Sequence, residues 1–150
     1  MSWTVVESFA SLLEDRDHTC AIAVDIPIGL PESGPRLCDQ QARRRLPRRA
    51  SSVFPAPTTA TAADRREGLT YAEAVRRARG RGHQAPSRQT WFITDKINDV
   101  ADACPALPPA MQVVECHPEA TFAVLSGTAL PRKTTTAGVG RRIAALSGWV

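Results

Sequence analysis

Apolar positions recur with two different periods along the chain, and the switch between them marks the elements. In residues 3–14, Val5, Val6, Phe9, Leu12 and Leu13 share one helical stripe, with Glu7, Ser8, Ser11 and Glu14 opposite. Asp15, Arg16 and Asp17 form the exit. A nearly unbroken apolar run, Cys20 to Val24, then ends on Asp25 and passes into Ile-Pro-Ile-Gly-Leu-Pro31. This reads as a buried parallel strand delivering a carboxylate to a stiff turn.

The next segment is helix and loop. Leu37 to Leu46 predicts a short basic helix stopped by Pro47, followed by a proline-rich ordered loop through Pro57 with Phe54 as its apolar anchor. Thr70 caps a helix from Tyr71 to Ala78, with Glu73 at the capping-box position. Ser87 caps another from Arg88 to about Val100, and 105–109 is loop. Alternation returns in Met111–His117, placing Met111, Val113, Glu115 and His117 on one strand face. Pro118 opens a helix running to Ser126, which Gly127 closes. A last helix spans about 137–146, with Ile143 and Leu146 facing inward.

Only two strong strands emerge, while an α/β sheet has about 5–6. Strands hidden in weak segments, or a missing part of the fold, would account for the difference. The 150 residues fit one domain, 1–150, large enough to bury a core without staples. No apolar run approaches the ~18 residues of a membrane span, and no basic region followed by a long apolar run suggests a signal peptide. Cys20, Cys38, Cys104 and Cys116 match no zinc spacing, so reduced thiols in a cytoplasmic protein are expected.

Two groups of residues carry candidate chemistry. Asp25 ends one strand, and Glu115, His117 and Glu119 end the other. If the strands are neighbours, Asp25, Glu115 and His117 converge beyond their carboxyl ends, where ligands collect in open α/β sheets. Clustered carboxylates favour Mg²⁺ or Mn²⁺, and such a site activates water for phosphodiester cleavage. Structural readings stand beside these. Asp25 also suits a turn cap, His117 a helix cap, and Glu119 the favourable end of a helix dipole.

The second group is basic. Lys and Arg total 19 against 15 Asp and Glu, for a net charge of +4. Arg48 and Arg49 with the hydroxyls of Ser51 and Ser52 form a candidate phosphate cradle on a proline-stiffened loop. Arg43, Arg44 and Arg45 read as a solvated helix face. Lys96, amid Asp95, Asp99 and Asp102, either neutralises phosphate or pairs with an acid one turn away. No Gly-rich phosphate loop is present, and aromatic content of 5% is too low for a base-stacking platform.

Several of these pieces together resemble a known family, the domain of unknown function 429 (DUF429) family of predicted RNase H-like nucleases. They are Val24-Asp25-Ile-Pro-Ile-Gly-Leu-Pro31, Arg36-x-Cys38-Asp39-x-x-Ala42-Arg43, and Arg48-Arg49-Ala-Ser51-Ser52-Val-Phe54-Pro55-Ala-Pro57. Gln89-x-Trp91, Lys96-Ile97-x-Asp99-Val100, Glu115-x-His117-Pro118-Glu119-x-x-Phe122, Lys133-Thr134 and Gly140-Arg141-Arg142 continue the match. The resemblance implies an RNase H-like mixed sheet flanked by helices. It implies Asp25 as the acid of the central parallel strand, and Glu115, His117 and Glu119 as a second acidic cluster. Family members open on a strand carrying Gly-x-Asp-Gly and two antiparallel strands. Here Met1 leads almost directly to helix, and the chain stops soon after Trp149, so a sheet incomplete at its N-terminus is expected. A truncated product, a misassigned start or a strand from a second subunit would each account for this.

The leading expectation is metal-dependent phosphodiester hydrolysis of nucleic acid. Asp25 and Glu115 would bind metal, Glu119 or His117 would assist water, and Arg48, Arg49, Ser51, Ser52 and Lys96 would hold phosphate. The alternatives are a hydrolase or transferase acting on a small phosphorylated substrate such as a nucleotide, and a non-catalytic module binding nucleic acid or protein. A homo-oligomer is compatible with each.

Overall fold

The computed structural model describes residues 5–14, 21–47 and 49–147. Trp3 and Thr4, the exit at 15–17, Cys20, Arg48 and Trp149 lie outside the described residues. The chain is mixed α/β and falls into two compact units: Met1–Arg36 with Pro55–Glu115, and Leu37–Phe54 with Cys116–Val150.

The first unit holds a two-stranded parallel sheet. Strand β1 (Ala21–Val24) pairs with β2 (Gln112–Glu115) in a register that sets Ala21 beside Gln112 and Val24 beside Glu115. The two strands are therefore neighbours, the condition on which their carboxyl ends come together. The expectation that β1 is buried is corrected: Ala21 and Ala23 are exposed, and Ile22 and Val24 are half-buried. One face alone packs on helices. There Phe9, Val100 and Ala103 form a buried cluster joined by Leu12, Leu13, Ile22, Val24, Ile26, Ile28 and Val113.

Helix α1 (Phe9–Glu14) begins later than the stripe predicts. Ser8 Oγ accepts from Ser11 N–H at 3.0 Å, and Ser11 Oγ accepts from Ser8 N–H at 3.2 Å. This reciprocal cap starts the helix at Phe9. Val5 and Val6 precede it and are exposed.

Three helices complete this unit. Residues Thr59–Arg66 form α3, which has no apolar stripe; Thr58 caps it, its hydroxyl accepting from Thr61 N–H at 3.2 Å. Helix α4 (Tyr71–Gly80) carries the expected Thr70–Glu73 capping box. Ser87 caps α5 (Arg88–Ala103), which buries Trp91, Thr94 and Ile97. Asp64 on α3 is 2% exposed and is paired by Arg77 at 3.0 Å and Arg81 at 3.2 Å, both supplied by the α4 end. A carboxylate that deep requires such partners.

The second unit contains α2 (Leu37–Arg45), a 3₁₀ turn (Ala50–Ser52), α6 (Pro118–Leu125) and α7 (Thr136–Ser147). Pro118 opens α6 and Gly127 follows its end, as the sequence predicts. Two side-chain expectations are corrected. Val53, 4% exposed, anchors the proline-rich loop, while Phe54 is 43% exposed. Arg43 on α2 sets this choice: its Nε and Nη2 both donate to the Val53 carbonyl, at 3.0 and 2.7 Å, so the loop is tied by its backbone. On α7 the inward contact is Gly138, and Ile143 and Leu146 are exposed. Cys38, Cys104 and Cys116 are free thiols.

Candidate functional site

In the first unit, parallel pairing brings the carboxyl ends of β1 and β2 side by side. Asp25 follows Val24, which pairs with Glu115. Asp25 is exposed, and among the described residues no hydrogen bond or ion pair reaches its carboxylate. It is not the turn cap that one reading of the sequence allows.

Glu115 is committed elsewhere. Arg36, 9% exposed, donates through Nη1 to Glu115 Oε2 and through Nη2 to Oε1, each at 2.7 Å. Ile28 N–H adds a third bond to Oε2 at 2.9 Å, and Arg36 Nη1 also reaches the Ile28 carbonyl at 2.9 Å. Thr59 N–H holds the far end of the same loop through Pro31 O at 3.0 Å. Gly29 permits the turn between these anchors, at φ +73°. The strand-end glutamate therefore clamps the loop that follows Asp25.

Lys96 on α5 is exposed, and the acids around it serve other groups. Asp95 pairs with Arg65, Asp102 with Arg66, and Asp99 accepts from Phe9 N–H at 2.7 Å. The hydrogen bond from Arg65, helped by its charge, holds the Asp95 carboxyl below the usual carboxylate range. The pairing of Lys96 with an acid one turn away does not form. Lys96 stands on a different unit from the other basic candidates.

In the second unit, His117 is the helix cap. Its Nδ1 accepts from Ala120 N–H at 3.4 Å, and its Nε2 lies 3.1 Å from the Ser52 carbonyl. The two contacts together require the neutral tautomer with hydrogen on Nε2. Ser52 Oγ in turn donates to the Arg49 carbonyl at 2.7 Å, so Ser52 shapes the 3₁₀ turn. Glu119 receives both its bonds from Arg142 Nη2, at 2.8 Å each. Arg142 Nη1 donates to Pro131 O at 3.0 Å and Gly138 O at 2.8 Å. Glu119 thus orients an arginine that ties α6, α7 and the 130–135 loop together.

That loop closes a cleft of about 720 Å³, lined by Arg49, Ser51, Ala129, Leu130, Pro131, Arg132, Lys133 and Thr134. Arg49 Nη2 reaches the Leu130 carbonyl at 3.4 Å. The Arg132 carbonyl accepts from Thr135 N–H at 3.0 Å and Thr135 Oγ at 2.8 Å, and Thr135 Oγ caps Gly138 N–H at 3.1 Å. A Cβ on Gly138 would lie 1.9 Å from the Arg132 oxygen, so helix and loop touch backbone to backbone. The carbonyls of Leu130, Pro131 and Arg132 are thus all taken up in the protein's own hydrogen bonds.

Of the basic candidates, Arg49 and Ser51 come together here; Arg48 lies outside the described residues. Arg132, Lys133 and Thr134 are additional. The sequence signal for them was present, since Lys133-Thr134 and Arg142 belong to the recurring motifs, but nothing in their local pattern gave them a role.

Mg²⁺ or Mn²⁺ would need several oxygen ligands at once. Three of the candidates are engaged by the protein itself: a guanidinium covers both oxygens of Glu115, another covers Glu119, and the His117 nitrogens are both used, which leaves Asp25 as the candidate carboxylate without a partner among the described residues. Among the described residues, no group of three or more His, Cys, Asp or Glu is placed to hold an ion. No helix among them is long and apolar enough to cross a membrane.

The family model described as "Protein of unknown function (DUF429)" matches residues 1–149. No curated protein and no solved structure matches the chain.

Proposed function

The chain belongs to the DUF429 family, and from that premise we propose that it binds a phosphate-bearing ligand through the basic cleft of its second unit. One observation carries this reading: Arg49, Arg132 and Lys133 line a single cleft with no carboxylate among its described lining residues. Three cations gathered this way repel one another unless an anion joins them. Arginine supplies a planar fork for phosphate oxygens, and Lys133 adds a point charge. Ser51 and Thr134 contribute hydroxyls to the same lining. Binding of pyrophosphate, followed by calorimetry, tests the reading. Saturable binding that weakens as salt rises is expected. No binding at low ionic strength overturns it.

A second reading is phosphodiester hydrolysis of nucleic acid by a cytoplasmic RNase H-like protein, with Asp25 as the reacting carboxylate. It is favoured by an exposed acid, without a partner among the described residues, at the end of a parallel strand. Asp25→Asn should abolish cleavage of a labelled oligonucleotide in Mn²⁺ buffer. Unchanged cleavage removes Asp25 from the chemistry.

A further inference from the structure

We infer that the ligand of the basic cleft is a nucleoside phosphate, a single nucleotide in size rather than a nucleic-acid strand. The inference rests on the phosphate-binding reading above and narrows it.

Size comes first. A volume of about 720 Å³ falls within the range of roughly 300–1,000 Å³ typical of small-molecule sites. Phosphate alone would fill a small part of it.

The lining has two chemical characters. Arg49, Arg132, Lys133, Ser51 and Thr134 offer charge and hydroxyls, while Ala129 and Pro131 offer a short apolar ribbon. Leu130 between them is buried, 6% exposed, and anchors the ribbon from beneath. A molecule with an anionic end and a flat, weakly polar body satisfies both. A nucleic-acid strand is matched less well, because strand-binding grooves track a backbone and stack successive bases on aromatic rings. Among the described residues no aromatic side chain lines this cleft.

Preorganisation supports a compact ligand. The 130–135 loop is held by Arg49, Arg142 and Thr135, and Gly138 lets α7 sit directly against it. Little side-chain or loop ordering is then required on binding, which favours a small molecule with few contacts.

The test titrates the full chain with ADP, with pyrophosphate, and with thymidine oligonucleotides of four and twelve residues. ADP is expected to bind at least about ten-fold more tightly than pyrophosphate, because the apolar ribbon adds to the phosphate contacts. Lys133→Ala, an exposed position, should weaken ADP about ten-fold with an unchanged circular dichroism spectrum. Arg49→Lys, which keeps the charge and loses the fork, should weaken it similarly. Equal affinity for ADP and pyrophosphate overturns the nucleoside assignment and leaves phosphate binding standing. Oligonucleotide affinity that climbs with length does the same. If none of the probes binds, the phosphate-binding reading falls with it.

Discussion

Arg36 meets both carboxylate oxygens of Glu115 at 2.7 Å, from a side chain that is itself 7% exposed. The pair joins the end of β2 to the loop after β1, and its hydrogen bonds to Ile28 extend the clamp to the backbone. Breaking a fully buried pair costs about 3–5 kcal/mol. Glu115 retains 32% side-chain exposure, so Arg36→Ala or Glu115→Ala should cost about 2–3 kcal/mol, just below that range. Urea unfolding checks this. A Glu115→Ala chain as stable as the parent would show that the clamp carries no weight.

Gly138 and Gly140 sit on the same helix and respond oppositely to alanine. At Gly138 the new methyl meets backbone at 1.9 Å, and at Gly140 nothing lies within 4 Å. Gly138→Ala should destabilise by about 3 kcal/mol, the upper end of overpacking costs, and should distort the cleft loop. Gly140→Ala should stabilise by about 0.5–1 kcal/mol through helix propensity. Thermal melts of the two variants give the comparison directly.

His117 separates capping from catalysis. His117→Asn keeps the cap and loses the ring's contact with the Ser52 carbonyl, which should cost about 1 kcal/mol, while His117→Ala loses both and should cost about 2 kcal/mol. Loss of Mn²⁺-dependent cleavage in a stable His117→Asn chain would instead assign the ring a chemical part.

Acid should loosen the first unit. Hydrogen bonds from Arg65 to Asp95, from Arg77 to Glu67, and from Thr70 to Glu73 each lower the acid's pKa in the folded chain. The unfolded chain then binds more protons, so stability is complete above the ordinary carboxylate value of about 4 and falls as pH drops through the folded values. Urea midpoints at pH 7, 4 and 3 measure the slope. Asp95→Asn should flatten it, and salt should do so as well, because these pairs are exposed.

Local signals in the sequence were readable where the physics is local. The capping box of Thr70 and Glu73, the Pro118 helix start and the presence of both strands follow from neighbouring residues, although β2 ends at Glu115, two residues short of the expected His117. Helix α3, Thr-Ala-Thr-Ala-Ala-Asp-Arg-Arg, has no periodic apolar face and is held by burying Asp64 under arginines from α4, which no window of sequence displays. Val53 exceeds Phe54 as an anchor because Arg43 fixes the backbone between them. The arginine-rich loop was legible as a phosphate candidate. Its other half was not, because Arg49 and Leu130 stand 81 residues apart and meet only through tertiary packing.

The same separation in sequence governs how the chain is made. Ile28 and Glu115 are 87 residues apart, so β1 emerges from the ribosome long before the strand it pairs with. At roughly 5–20 residues per second the delay is on the order of ten seconds, ample for α3, α4 and α5 to assemble from their local contacts. During that interval β1 presents an open hydrogen-bonding edge, which invites pairing with the wrong chain. The parallel pairing that sets Val24 beside Glu115 therefore also sets the length of the interval in which the nascent strand's edge stays open to wrong pairing.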